Sequence, residues 1–294
     1  MPERLSVSDS LADGARRLRT AARMLFPLYL ANLGVALFAL LPLHVSLYRV
    51  TSTRPAAGRL LASWDLEILA ELVMDHPTLL AQLQAVFLFV PMAYLILSQA
   101  LLGGALGALA RPRRPRARDF GADALGHFFP LLGLLAWYLV PLALAGAALY
   151  LGYSVADGRH WMTRSLALVP GLALWAWADA ALDFGRAKLV LDDSAAPLRS
   201  LLAGFGVTLK RPLAAMGLHL FLGCLGIAPL ALLLLIPSAL DAGGPGGVLL
   251  AFVGRQVVVF LRVSLRLYSL GAHLGFLGGP AQQELPVEPG REAY

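Results

Sequence analysis

Cysteine, lysine and acidic groups are all scarce in this chain. Cys224 is the only cysteine. That excludes an internal disulfide and any cysteine cluster for zinc or iron–sulfur, and its place in an apolar run suits a small buried residue. Charged residues are 14% of the 294, well below the roughly 25% of ordinary soluble domains. Lys188 and Lys210 are the only lysines; the remaining bases are arginine. HExxH, GxSxG, the phosphate-binding Walker loop and the dinucleotide fingerprint are missing, which removes the usual signatures of metalloprotease, hydrolase and nucleotide chemistry. The six histidines, His44, His76, His127, His160, His219 and His273, show no metal-ligand spacing. The chain is therefore expected to hold no catalytic residue, no cofactor and no metal.

What it has in abundance is apolar residues, 58% of the total. They fall in runs of 20 residues and more, long enough for a helix to cross a ~30 Å hydrocarbon layer at 1.5 Å per residue. Six spans are expected, at 25–48, 83–109, 128–153, 165–184, 213–240 and 248–276. The fold class is accordingly all-α, a polytopic membrane helix bundle. No cleaved signal peptide is expected, because the first apolar run follows a long polar lead. Residues 1–24 form a basic leader, 25–276 the membrane domain and 277–294 a polar tail expected to be disordered. In the leader, Leu11, Ala15, Leu18 and Ala22 share one helical face while Arg16, Arg17, Arg19 and Arg23 crowd elsewhere. That is the pattern of a helix lying on a membrane surface; a disordered basic leader is the alternative.

The basic residues alternate between loops. The N-terminal tail holds Arg4, Arg16, Arg17, Arg19 and Arg23. The loop after the second span holds Arg111, Arg113, Arg114, Arg116 and Arg118, and the loop after the fourth holds Arg186, Lys188, Arg199, Lys210 and Arg211. The other loops carry only Arg49, Arg54 and Arg59, then Arg159 and Arg164, then none. By the positive-inside rule both termini face the cytoplasm, and the bases meet anionic lipid headgroups there. This distribution, rather than nucleic acid, accounts for the net charge of +6. Protein partners are not readable.

Three hairpins recur. The first, third and fifth spans each begin near a proline (Pro27, Pro130, Pro212), carry another deeper in (Pro42, Pro141, Pro229), and follow an amphipathic or basic stretch. Before the fifth span, Leu198, Leu201, Leu202, Phe205 and Leu209 make an apolar stripe at helical spacing. Between the first and second spans, apolar residues alternate with Asp65, Glu67, Glu71 and Asp75 beside Trp64, as in an amphipathic helix on the outer leaflet.

Charge inside the spans is the main anomaly. Arg255, Arg262 and Arg266 lie in the sixth span, and Ser269 and His273 continue their stripe. A charged group at a helix centre costs about 2.5–3.5 kcal/mol on insertion scales, so this face must meet other helices or water. The fourth span carries Asp179 and Asp183. Counted from Ser165 and Val248, Asp179 and Arg262 both lie at 14 residues, and Asp183 and Arg266 both at 18. Two stacked ion pairs, Asp179–Arg262 and Asp183–Arg266, are expected. Asn32, Gln99 and His219 fall at similar depth in other spans. These eight residues form the candidate intramembrane polar site. Either they lock the bundle, or they line a cytoplasm-facing vestibule that binds an anionic group.

Other acidic patterns stop short. Asp179-x3-Asp183 matches the end of the CDP-alcohol phosphotransferase signature without its upstream residues. Asp192-Asp193 is half of an aspartate-rich prenyl-diphosphate motif and is expected instead to cap the following helix. Residues 185–212, GRAKLVLDDSAAPLRSLLAGFGVTLKRP, together with Gly103-Gly104 and Phe120, resemble stretches of bacterial six-helix membrane proteins related to the membrane domain of glycerophosphodiester phosphodiesterases. That resemblance implies a six-helix fold in a bacterial cytoplasmic membrane and brings no catalytic residue. The expectation is a non-enzymatic structural or accessory membrane protein; the alternative is a transporter or lipid-handling protein.

Overall fold

A computed structural model describes residues 6–51, 74, 77–111, 115–155, 161–239 and 245–278. Among them the chain is helical nearly throughout and contains no strand. The helices are α1 (Val7–Ala21), running through a 3-10 turn (Ala22–Met24) into α2 (Leu25–Thr51), then α3 (Pro77–Ala110), α4 (Ala117–Gly126) and α5 (Phe128–Val155). They continue with α6 (Trp161–Leu191), α7 (Pro197–Lys210), α8 (Pro212–Ala239) and α9 (Pro245–Phe276). Proline stands first in α3, α7, α8 and α9, where its missing N–H leaves no helical bond unmade. The external amphipathic helix expected near Trp64 and the tail from residue 279 lie outside the described residues.

Five stretches are long and apolar enough to cross a membrane: Val7–Phe38, Leu83–Ala110, Phe128–Val155, Ser165–Leu191 and Pro212–Leu232. They are the mark of a multi-pass membrane protein. The expected sixth, α9, is long enough at 32 residues but carries its three arginines.

The chain divides into two units, Met1–Phe26 with Gln99–Tyr294, and Pro27–Ser98. In the second, Asn32 Nδ2 donates to the Leu28 carbonyl (2.7 Å) and Tyr94 Oη donates to Asn32 Oδ1 (2.8 Å), joining α2 to α3. In the first, α5 packs on α6, α6 on α7, α8 on α9, and α1 on α9.

Small residues share the packing surfaces of the first unit with buried leucines and Phe184. Ala178, Ala180, Ala181 and Ala187 of α6 are buried, whereas Phe129, Leu166, Leu213 and Leu249 stand outward. Lipid tails are as apolar as leucine, so helices in a bilayer gain by close backbone approach rather than by hiding large apolar groups. The interface of α1 and α9 follows this rule. A Cβ on Gly14 would lie 2.9 Å from the Ala272 backbone nitrogen, and one on Gly275 would lie 2.8 Å from Asp13 Oδ2.

The apolar stripe expected before the fifth span divides in α7: Leu198, Leu202 and Leu209 are exposed, and the buried face is Ser200, Leu201, Gly204 and Thr208. Two expectations need correction. Arg17, placed by its charge among the outward arginines, is fully buried. The fourth span, expected to end at Phe184, continues to Leu191, because its bases find carboxylates on the same helix. Arg186 pairs with Asp183 (3.0 Å) and Lys188 with Asp192 (2.9 Å).

Candidate functional site

On α6, Asp179, Asp183 and Arg186 follow one another at four and three residues, so they share a face. That face meets His219 from α8 and Arg266 and His273 from α9. Asp183 sits at the middle. Its Oδ1 accepts from Arg186 Nη1 at 3.0 Å and from Arg266 Nη2 at 3.3 Å. Its Oδ2 lies 3.8 Å from His219 Nδ1, while His219 Nε2 lies 3.4 Å from Asp179 Oδ2. His273 is 1% exposed. Its Nδ1 is 2.8 Å from the Ser269 carbonyl; a carbonyl only accepts, so Nδ1 carries the proton, and in the neutral ring Nε2 is the lone pair. The two imidazole centroids are 6.1 Å apart, and Phe184 meets the His273 ring edge-on at 4.9 Å.

Asp183, Arg186 and His273 are each buried to nine-tenths or more. Two carboxylates and two guanidinium groups balance in charge, which such a setting demands: an ion withdrawn from water is stable only when paired and hydrogen-bonded. The bidentate-capable forks of Arg186 and Arg266 converge on one carboxylate oxygen. Chemically, the cluster can fasten three helices, hold a proton between imidazole and carboxylate, or ligate a cation through nitrogen and oxygen.

Of the eight candidate residues, Asp179, Asp183, His219 and Arg266 come together. Asp183–Arg266 is the pair expected from equal depth. The companion pair is not formed: Asp179 faces His219, and among the described residues neither Arg262 nor Arg255 pairs with a carboxylate. Both are exposed on α9. Their step of seven residues from Arg255 to Arg262 keeps them on one side of the helix, but α8 brings His219 to Asp179 before Arg262 can reach it. Gln99 is buried in the first unit, and Asn32 belongs to the second, where Tyr94 holds it. Two members of the centre were absent from the candidate set. Arg186 looked like a loop base, although its three-residue step from Asp183 was a legible pairing signal. His273 was visible only as the end of the arginine stripe.

Two further polar contacts fix the short helices. Arg17 Nε donates to Asp13 Oδ2 (2.6 Å) and its Nη1 to the Leu109 carbonyl (2.8 Å), satisfying an acceptor that the last turn of α3 leaves open. Arg111 pairs with Asp123 (2.6 Å) and Asp119 (3.3 Å) of α4. Burial pushes the Asp123 carboxyl up, against the pull of Arg111. Asp192 and Asp193 do not cap α7, whose N-cap is Ala196. Asp192 pairs with Lys188, and Asp193, in the left-handed region at φ 45°, lies 3.5 Å from His127 Nε2. No family model, curated protein or solved structure matches the chain, so its function has to be read from these side chains.

Proposed function

We propose that the protein is a non-enzymatic, structural or accessory component of the bacterial cytoplasmic membrane, with six spans in three hairpins and both termini in the cytoplasm. The observation that carries this reading is the position of Asp183: one buried carboxylate takes a guanidinium from its own helix and another from α9. The order short helix, long helix, long helix occurs three times, as α1–α3, α4–α6 and α7–α9, in keeping with triplicated hairpins. With the basic loops inside, the ionic centre lies near the cytoplasmic ends of α6, α8 and α9. Its role is to hold α9 in the bilayer despite its arginines.

The test is a set of variants measured by thermal unfolding in lipid nanodiscs. Asp183→Asn is expected to destabilise by about 3–5 kcal/mol, since it strands buried Arg186. Asp183→Leu with Arg186→Met is expected to recover much of that loss. An Asp183→Asn protein as stable as wild type would remove the packing role.

A second reading is favoured by Arg255 and Arg262, which are exposed and pair with no carboxylate among the described residues. As a transporter or lipid-handling protein, the chain would present them to an anionic group in a cytoplasm-facing vestibule. Phosphatidylglycerol nanodiscs should then raise the melting temperature above that in phosphatidylcholine. Arg255→Gln with Arg262→Gln should abolish the difference; equal melting in both lipids would leave only the structural reading.

A further inference from the structure

Three side chains from three helices converge at the centre with ligand atoms turned toward one another. Asp183, His219 and His273 each offer one oxygen or nitrogen, and the three atoms lie within 4.8 Å of one another. The proton inventory makes the convergence unusual. His273 gives its Nδ1 proton to the Ser269 carbonyl (2.8 Å), and its Nε2, buried, has no hydrogen-bond partner among the described residues. On His219 the nitrogen nearer a carboxylate is Nε2, 3.4 Å from Asp179. A proton there leaves Nδ1 as a lone pair facing Asp183 Oδ2 at 3.8 Å. Asp183 Oδ1 is occupied by Arg186 and Arg266, so Oδ2 is the oxygen left for another partner. With the two protons so placed, the ligand atoms of Asp183, His219 and His273, all within 4.8 Å of one another, carry no hydrogen between them. Lone pairs repel; a cation among them removes the conflict.

We infer that Asp183, His219 and His273 form a binding site for one divalent transition-metal ion. Two imidazole nitrogens and one carboxylate oxygen are a donor set for zinc, cobalt, iron(II) or nickel, and a poor one for calcium or magnesium, which want oxygen. Three protein ligands leave at least one coordination position for water or a substrate atom. Ligand atoms around tetrahedral zinc are about 3.3 Å apart, given bonds of about 2.0–2.1 Å, so the 3.8 Å pair has to close by about 0.5 Å, and a pair at the 4.8 Å bound of the group by about 1.5 Å. Each ligand already has the outer contact that metal sites use for orientation: the Ser269 carbonyl on His273, the Asp179 carboxylate on His219, and two guanidinium groups on Asp183. Those guanidinium groups also oppose a cation, so the affinity is set to be moderate. The site uses the centre whose packing role is proposed above but does not depend on that role. Its ligands stand far apart in the sequence, which hides them from any search for local spacing.

The experiment takes the full-length protein, tag removed, in nanodiscs, stripped with chelator and titrated with Zn²⁺ and with Co²⁺. One equivalent per chain should bind with a Kd on the order of 10 µM or tighter. Zn²⁺ should raise the melting temperature, and bound Co²⁺ should show the intense visible bands of a four- or five-coordinate ion. Mg²⁺ should do neither. His219→Gln should weaken binding by at least about tenfold, and Asp179→Asn, which touches no metal, by about ten- to a hundredfold through the orientation of His219. If His273→Gln does not fold, the half-buried His219 variant and the wild-type cobalt spectrum decide. Folded wild type that takes up no stoichiometric Zn²⁺ or Co²⁺ overturns the inference, as does binding of equal affinity in folded His219→Gln. In either case the cluster holds no metal, and the unfolding test of the packing role stands separately.

Discussion

Arg17 is the residue whose neighbours make the most specific demand. A fully buried guanidinium is tolerated because Asp13 lies one turn behind it and the Leu109 carbonyl lies ahead. Arg17→Met should therefore destabilise by about 3–5 kcal/mol, leaving Asp13 charged and buried. Adding Asp13→Asn should recover part of the loss, and a double-mutant cycle of denaturant unfolding in micelles measures the coupling. At the exposed start of the same helix, Ser6 and Asp9 form a capping box: Ser6 N donates to Asp9 Oδ2 (3.1 Å) and Asp9 N donates to Ser6 Oγ (3.2 Å), while Ser6 Oγ also donates to Asp9 Oδ2 (2.6 Å). The Ser6 hydroxyl holds the Asp9 carboxyl below its usual range. A lowered carboxylate pKa contributes stability that is present above the unfolded value and lost as pH falls through the folded one. Protection factors of amides in the first turn of α1, corrected for intrinsic exchange, should therefore fall at acid pH, and Asp9→Asn should remove that dependence. The Asp183–Arg266 pair was legible from matching depth, because two helices running the same way put equal counts at equal heights. Arg17 was not, since charge alone placed it outside; its four-residue step from Asp13 beside Gly14 was the missed signal.

At the scale of the helix, the short amphipathic elements bury the face that composition suggested they would expose. α7 turns Ser200, Gly204 and Thr208 toward α6, where Trp177 Nε1 donates to Thr208 Oγ1 (2.8 Å), buries Leu201 with them, and leaves Leu198, Leu202 and Leu209 outward. A hydrophobic stripe in water marks the core; in a bilayer it marks lipid, and the small stripe marks the neighbour. That inversion explains why the existence of α1 and α7 was legible and their packing was not. A Cβ on Gly204 would fall on the Ala181 carbonyl oxygen, whereas one on Gly206 would meet nothing within 4 Å. Gly204→Ala should thus lower stability by about 1–3 kcal/mol through overpacking. Gly206→Ala should be neutral or stabilising by about 0.5–1 kcal/mol through helix propensity. Thermal melts of the two variants, two residues apart on one helix, separate close approach from propensity. Equal melts would deny that Gly204 is a packing contact.

For the whole molecule, the open question of topology rests on α9. Five stretches qualify as spans on length and apolarity alone; α9 has the length but three guanidinium groups. Arg266 is neutralised through Asp183, so its burden is shared with α6. Arg255 and Arg262 have long stems that can carry their charge toward an interface or a wet cavity. If α9 spans, Gly246 and Gly278 at its two ends lie on opposite faces of the membrane. If it lies on the surface, they share one. With Cys224→Ser as background, single variants Gly246→Cys, Gly278→Cys and Ala195→Cys can be labelled with a membrane-impermeant maleimide. Gly246→Cys should react in intact spheroplasts, and the other two only after lysis. Ala195, in the turn between α6 and α7 beside the basic loop, reports the inside independently. Labelling of Gly246 and Gly278 from the same side would reduce the spans to five and place the two termini on opposite faces. It would also withdraw the arginines from the bilayer and conflict with the Asp183–Arg266 pair, because Asp183 lies toward the cytoplasmic end of α6.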